Sequence, residues 1–332
     1  GPQSDVNGAF GFAIGNNAKF NSGTLGFAIG VNSEATSNQS IAIGYLSKAA
    51  GRNNGGGGDP ALAVGAGANA TAGGATAIGM VASASNTFAT AIGKSAAASG
   101  DSSIAIGQNT KATQEKAIAI GDASQATNIG ATALGRSSEA TGSSATALGS
   151  LASATGTTAT AVGMQASASG AESLAIGNTA SATSGRSLAV GTNAKATGAS
   201  AVAVGSGAGN SGPLGFASSI NSSRSVVNTL KTVNYATTAE GDNAVALGFY
   251  ANAKNTGVAV GQNALAATGG VAIGKGVFED TNNNLAGGVV IGQDSASTGI
   301  YSLAMGRHAF ATGSTSMAIG YEASANGNFA VA

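Results

Sequence analysis

Catalysis needs converging groups with matched proton affinities, and few residues of this chain could supply them. The single histidine, His308, stands in Gly306-Arg307-His308-Ala309-Phe310. Without a second histidine or any cysteine it has no partner for a metal site or a thiol dyad. A Ser-His-Asp arrangement is formally open, but serine recurs throughout and singles out no nucleophile. His308 reads as a solvated turn residue. Gly207-Ala208-Gly209-Asn210-Ser211-Gly212 matches the dinucleotide fingerprint after Val202-Ala203-Val204. Pro213 and Gly215 follow where a helix must begin, and among 54 glycines such a match is expected by chance. Glu279-Asp280-Thr281-Asn282-Asn283-Asn284 spaces oxygen ligands as calcium loops do, yet the closing acid is missing, since Ile291 stands there. That stretch reads as a polar turn extension. The expectation is a protein that is not an enzyme and holds no cofactor and no metal.

Bulk properties narrow the class further. Charged residues make up 8% and the formal net charge is zero, so nothing marks the chain for nucleic acid or an anionic membrane. Absence of cysteine excludes disulfides and thiolate metal sites. No apolar run is long enough to span a bilayer as a helix. Gly1-Pro2 reads as a protease-cleavage scar, so residues 1–7 are set aside as a tag remnant and lead-in. Any membrane anchor is expected to lie outside this fragment.

The elements that must position these residues come from one repeat. From Gly65 to Gly205 a glycine recurs every 14 residues, each preceded by Ala and then Ile, Val or Leu. A period so regular means a short unit stacked on copies of itself, a solenoid. Pentads such as Ser103-Ile104-Ala105-Ile106-Gly107 and Ser187-Leu188-Ala189-Val190-Gly191 alternate with period two, as a strand does. Alanines three and five residues after each glycine, such as Ala166 and Ala168, mark a second, weaker strand. Two strands and two turns make one coil, and roughly 20 coils at about 4.8 Å would stack to near 95 Å. The larger Ile, Val and Leu are expected inside each coil. The repeated Ala91, Ala105, Ala119 and Ala133 are then left outside, where another chain approaches closely.

The array has interruptions. Gly44 to Gly65 carries seven extra residues, and Gly205 to Gly248 spans 43. The expected organisation is repeats over 8–205, an insertion over 206–243 and repeats over 244–332. Ser222 to Val233 could form a short helix within the insertion. Its Phe216, Arg224, Lys231 and Tyr235 are candidate ligand contacts, or else they pin the loop to the roll or to a neighbouring chain.

The [Ser/Thr]-x-Ala-[Ile/Val/Leu]-Gly pentad with its trailing Ala-x-Ala, over about residues 8 to 325 outside the insertion, resembles the head of trimeric autotransporter adhesins. Its likeness is to the YadA-type head and its haemagglutinin-like relatives. The resemblance implies an all-β fold, a left-handed parallel β-roll (β-solenoid) of ~14-residue coils, forming a trimeric head with three chains side by side. It implies projection from the Gram-negative outer membrane on a coiled-coil stalk and an anchor barrel. Some relatives bind collagen or other matrix proteins through Ser-Val-Ala-Ile-Gly repeats. Here Thr76-Ala77-Ile78-Gly79, Thr90-Ala91-Ile92-Gly93 and Thr146-Ala147-Leu148-Gly149 depart from that form, which leaves the ligand open.

Two functions of different class follow. One is a cell-surface adhesin head whose homotrimer attaches to matrix, cells or abiotic surfaces by many shallow contacts. The alternative is an ice-binding solenoid with a ladder of Thr76, Thr90, Thr132, Thr146 and Thr160, broken by Ile104, Ile118 and Leu174. Its weakness is that these threonines share a strand face with Ile78 and Ile92, which are expected inside. A phage-type fibre segment is a weaker third option.

Overall fold

The computed structural model describes residues 2–21, 23–52, 59–206, 237–279 and 287–332. Two compact units form, Gly1–Glu172 and Ser173–Ala332. Each is a parallel β-solenoid of two-strand coils, and the chain makes about 20 turns of ~14 residues with no helix among the described residues.

A coil of the first unit shows the construction. Ile104–Ile106 is a three-residue strand, the chain turns after Gly107, and Lys111–Ala112 forms the short second strand. The next coil repeats both: Ile104 pairs with Ile118, Ala105 with Ala119 and Ile106 with Ile120, while Lys111 pairs with Gln125 and Ala112 with Ala126. All these pairings are parallel. Like therefore stands on like, in columns running along each stack. The second unit repeats the scheme, with Leu188 on Val202 and Ala189 on Ala203. There the long interruption leaves the ladder whole, because Lys195 pairs with Thr238 and Val202 with Val245.

Both turns demand unusual backbone. Gly107 has φ +131, and a Cβ there would lie 2.5 Å from the Gly121 carbonyl oxygen. A side chain at that level would collide with the coil above, so the glycine period is a steric requirement. Two residues on, the chain enters the left-handed region, as at Asn109 (φ 55) and Ser137 (φ 51). Asparagine suits that region; Val81, at φ 58, does not.

The interior reverses the expected orientation. Ala91, Ala105, Ala119 and Ala133 are fully buried inside their own coils. Ile, Leu, Val and Thr of the same strands point outward, and Leu134 and Leu148 remain 40% and 41% exposed. The reason is volume. Alanine also fills the inward positions of the second strand, such as Ala112 and Ala126, so the two sheets meet methyl to methyl and leave little room for a branched chain. Val290, buried between Ala272 and Ala304, is an exception. Inward serines satisfy themselves on turn carbonyls: Ser103 Oγ donates to Gly100 O at 2.7 Å, and Ser138 Oγ to Gly135 O at 2.9 Å.

Two details anchor the start of the first unit. Phe20 is fully buried, and a Cβ on Gly11 or Gly26 would come within 2.0 or 1.9 Å of its ring. The ring fits only because those positions are glycine. On the outer face Asp5, Lys19, Glu34 and Lys48 pair in succession, opposite charge on opposite charge, with Lys48 Nζ 3.2 Å from Glu34 Oε2. Such alternation disfavours a one-coil slip within the chain.

Ala119→Leu should overpack the interior and cost about 3 kcal/mol, read by denaturant unfolding. An unchanged midpoint would mean that the alanine faces outward after all. Val81→Asn removes a branched side chain from the left-handed region at an exposed position and should stabilise the fold by ~1 kcal/mol in the same assay.

Candidate assembly and contact surfaces

Each unit presents two unlike faces. On the first, the three-residue strands expose their first and third side chains, as Ile104 with Ile106, Thr146 with Leu148, and Leu188 with Val190. Across the twenty strands of this sheet among the described residues these two positions hold no charged residue; Lys275, exposed at the end of the longer strand Val271–Lys275, lies beyond them. Two continuous columns of outward positions without a charge have the composition of a surface suited to contact with another protein.

The second face is polar. Lys111 and Thr113, Gln125 and Thr127, Glu139 and Thr141 lie outward, each pair flanking a buried alanine. The column through Thr113, Thr127, Thr141, Thr155 and Ser169 carries a hydroxyl in each coil from Thr71 to Thr197. Thr113 Oγ1 donates to the Thr127 carbonyl at 3.3 Å, so this row is partly tied to its own backbone.

The turn edges hold the remaining chemistry. Glu115 and Lys116 pair at 2.8 Å; their hydrogen bond and mutual attraction hold the carboxyl below its ordinary range and the ammonium above it. In the second unit His308 sits edge-on to Tyr321, with ring centres 6.4 Å apart. The hydrogen bond between Tyr321 and the Glu322 carboxylate, with the repulsion of that charge, pushes the phenol up. A shallow open groove in the first unit is lined by Ile41, Asp59, Pro60, Leu62 and Phe88. Among the described residues no group of three or more His, Cys, Asp or Glu could hold a metal.

Of the residues singled out from sequence, Phe216, Arg224, Lys231 and Tyr235 lie outside the described residues, as does the glycine run from Gly207 to Gly212. Ala91, Ala105, Ala119 and Ala133 are inside the coil and cannot touch a partner. Their outward role passes to the neighbouring Ile92, Ile106, Ile120 and Leu134. Glu279 is no loop ligand. Its carboxylate is buried and accepts backbone N–H groups of Ala267 and Gly288. Thr76, Thr90, Thr132, Thr146 and Thr160 do face outward together with Ile78 and Ile92, so the orientation argument against a threonine ladder falls. The hydroxyl column on the polar face was missed; its sequence signal is a Ser or Thr six residues after each repeat glycine from Gly65 to Gly191.

Comparison with known families finds a match over more than half of the chain. The model of the YadA head domain repeat (2 copies) matches residues 22–47 and 57–82, overlapping windows from 84 to 208, residues 235–264 and residues 311–332. No curated protein matches the chain.

Proposed function

Because the chain belongs to the YadA head family, a family of structural adhesins and not of enzymes, we propose that it is the projecting head of a cell-surface adhesin on a Gram-negative outer membrane. Three copies associate side by side through the aliphatic face. The polar face and turn edges then meet the target: an extracellular-matrix protein such as collagen, a cell, or an abiotic surface. The observation that carries this reading is the uncharged aliphatic face, repeated in every coil while the opposite face keeps Lys111, Glu139 and the hydroxyl column. With no deep pocket among the described residues, attachment works by many weak contacts repeated over coils and over three chains. A preformed sheet loses little freedom on contact, so few strong anchors are needed.

Light scattering after size exclusion should give a mass near three times 31.1 kDa. Ile120→Glu with Leu134→Glu should convert that trimer to a folded monomer, because each carboxylate would be buried against its copies. It should also weaken adhesion to immobilised collagen by at least tenfold, through lost avidity. A wild-type monomer at every concentration would overturn the assembly.

A second reading keeps one specific support: the outward Thr76 and Thr90, and the outward run of Thr132, Thr146 and Thr160. An ice-binding surface built on these columns would produce thermal hysteresis in solution, and its absence would end that reading. Ile104 and Ile118 separate the two runs, which is why the adhesin reading stands first.

A further inference from the structure

The aliphatic face poses a problem for any assembly built on it. Its columns repeat coil by coil, so parallel chains could slide past one another by one coil, about 4.8 Å, and still set branched side chain on branched side chain. Only the contacts of an end coil would be lost. Correct alignment therefore requires a feature on that face that does not repeat.

One such feature is present. The column that runs through Ile41, Leu62, Thr76 and Thr90 begins with Phe12 and Phe27, and aromatic residues occur nowhere else along it. Phe12 pairs in register with Phe27, and Phe27 with Ile41. The two rings are stacked, 5.3 Å apart and within 3° of parallel. They are 56% and 37% exposed, so their outer sides are bare. Behind them the wall is firm, because buried Phe20 fills the coil interior against Gly11 and Gly26.

We propose that the Phe12–Phe27 stack is a register lock: it packs against the same stack of two further copies of this chain and sets which coil faces which. The inference rests on the homotrimer reading above. The occupant follows from continuity and symmetry. The stack lies in the same uncharged face as the other outward columns, and a closed ring of identical parallel chains brings each residue level with its own copies. Phe12 thus meets Phe12, and aromatic rings gain from edge or offset contacts that aliphatic side chains do not offer. A slip of one coil sets Phe27 against Ile41 and leaves one Phe12 in water. The lock acts by making that misalignment unfavourable, while the repeated columns supply the bulk of the association.

The chain lacks cysteine, so single cysteines can report alignment. Thr132→Cys and Thr160→Cys stand two coils apart in one column, roughly 9.6 Å, beyond the ~7 Å reach of a disulfide. The two variants are co-expressed, oxidised, and the cross-links assigned by mass spectrometry. In the parent background the 132–132 and 160–160 links should dominate. Replacing the stack by Phe12→Val with Phe27→Val should raise the 132–160 link several-fold while the mass stays trimeric. Phe12→Leu with Phe27→Leu, which keeps more apolar volume but no ring, should do the same. An unchanged share of 132–160 links in intact trimers of both variants would overturn the lock and leave the trimer standing. A monomeric parent would overturn the trimer and the lock together.

Discussion

The interior of each coil admits a methyl group and little more, and the rest of the structure depends on that limit. Alanine at Ala105 and Ala112 brings the two sheets so close that the branched side chains Ile104 and Ile106 of the same coil turn outward. At two places where a larger group enters, glycine has made the space. Phe20 lies against Gly8, Gly11 and Gly26, and the buried Glu279 carboxylate fills the place of a missing Cβ on Gly270, which would be 2.1 Å from Glu279 Oε2. The same closeness governs the turns. Gly107 lies so near the carbonyl of Gly121 that no side chain fits between successive coils.

A thin core has an energetic consequence. Burying an alanine methyl contributes far less than burying a leucine, so the stack leans on its hydrogen-bond ladder and on neighbouring coils. Most of the large apolar side chains sit on the outside, where they are half-buried against their neighbours in the column and leave the rest of their surface in water. Any surface that covers this face would add to the stability of the folded chain by mass action.

Much of this was legible in the sequence. The glycine period marks the coil, the pentads mark the longer strand, and Ala-x-Ala marks the shorter one. Which face of the longer strand points inward was not legible, because Ile104-Ala105-Ile106 is apolar on both faces and period-two alternation cannot choose between them. The answer lay in the other strand. In Lys111-Ala112-Thr113 the alanine between polar neighbours must face inward, and a coil lined there by methyl groups gains close packing only from small partners opposite. Glu279 misled for a related reason: among polar residues it reads as loop, and only the glycine at position 270 hints at a carboxylate inside. Phe216 and Tyr235 lie outside the described residues, so the sequence reading of the insertion stands alone.

Identical inner columns also make the coil a unit of inheritance. Because Ala105 stands on Ala119 and Ala119 on Ala133, removing or duplicating one 14-residue block joins surfaces that already match. A chain built this way can gain or lose a block without a new packing solution. Each event would change reach by about 4.8 Å, the strand spacing. An array of this kind makes length a quantity that varies in equal steps while the packing stays the same.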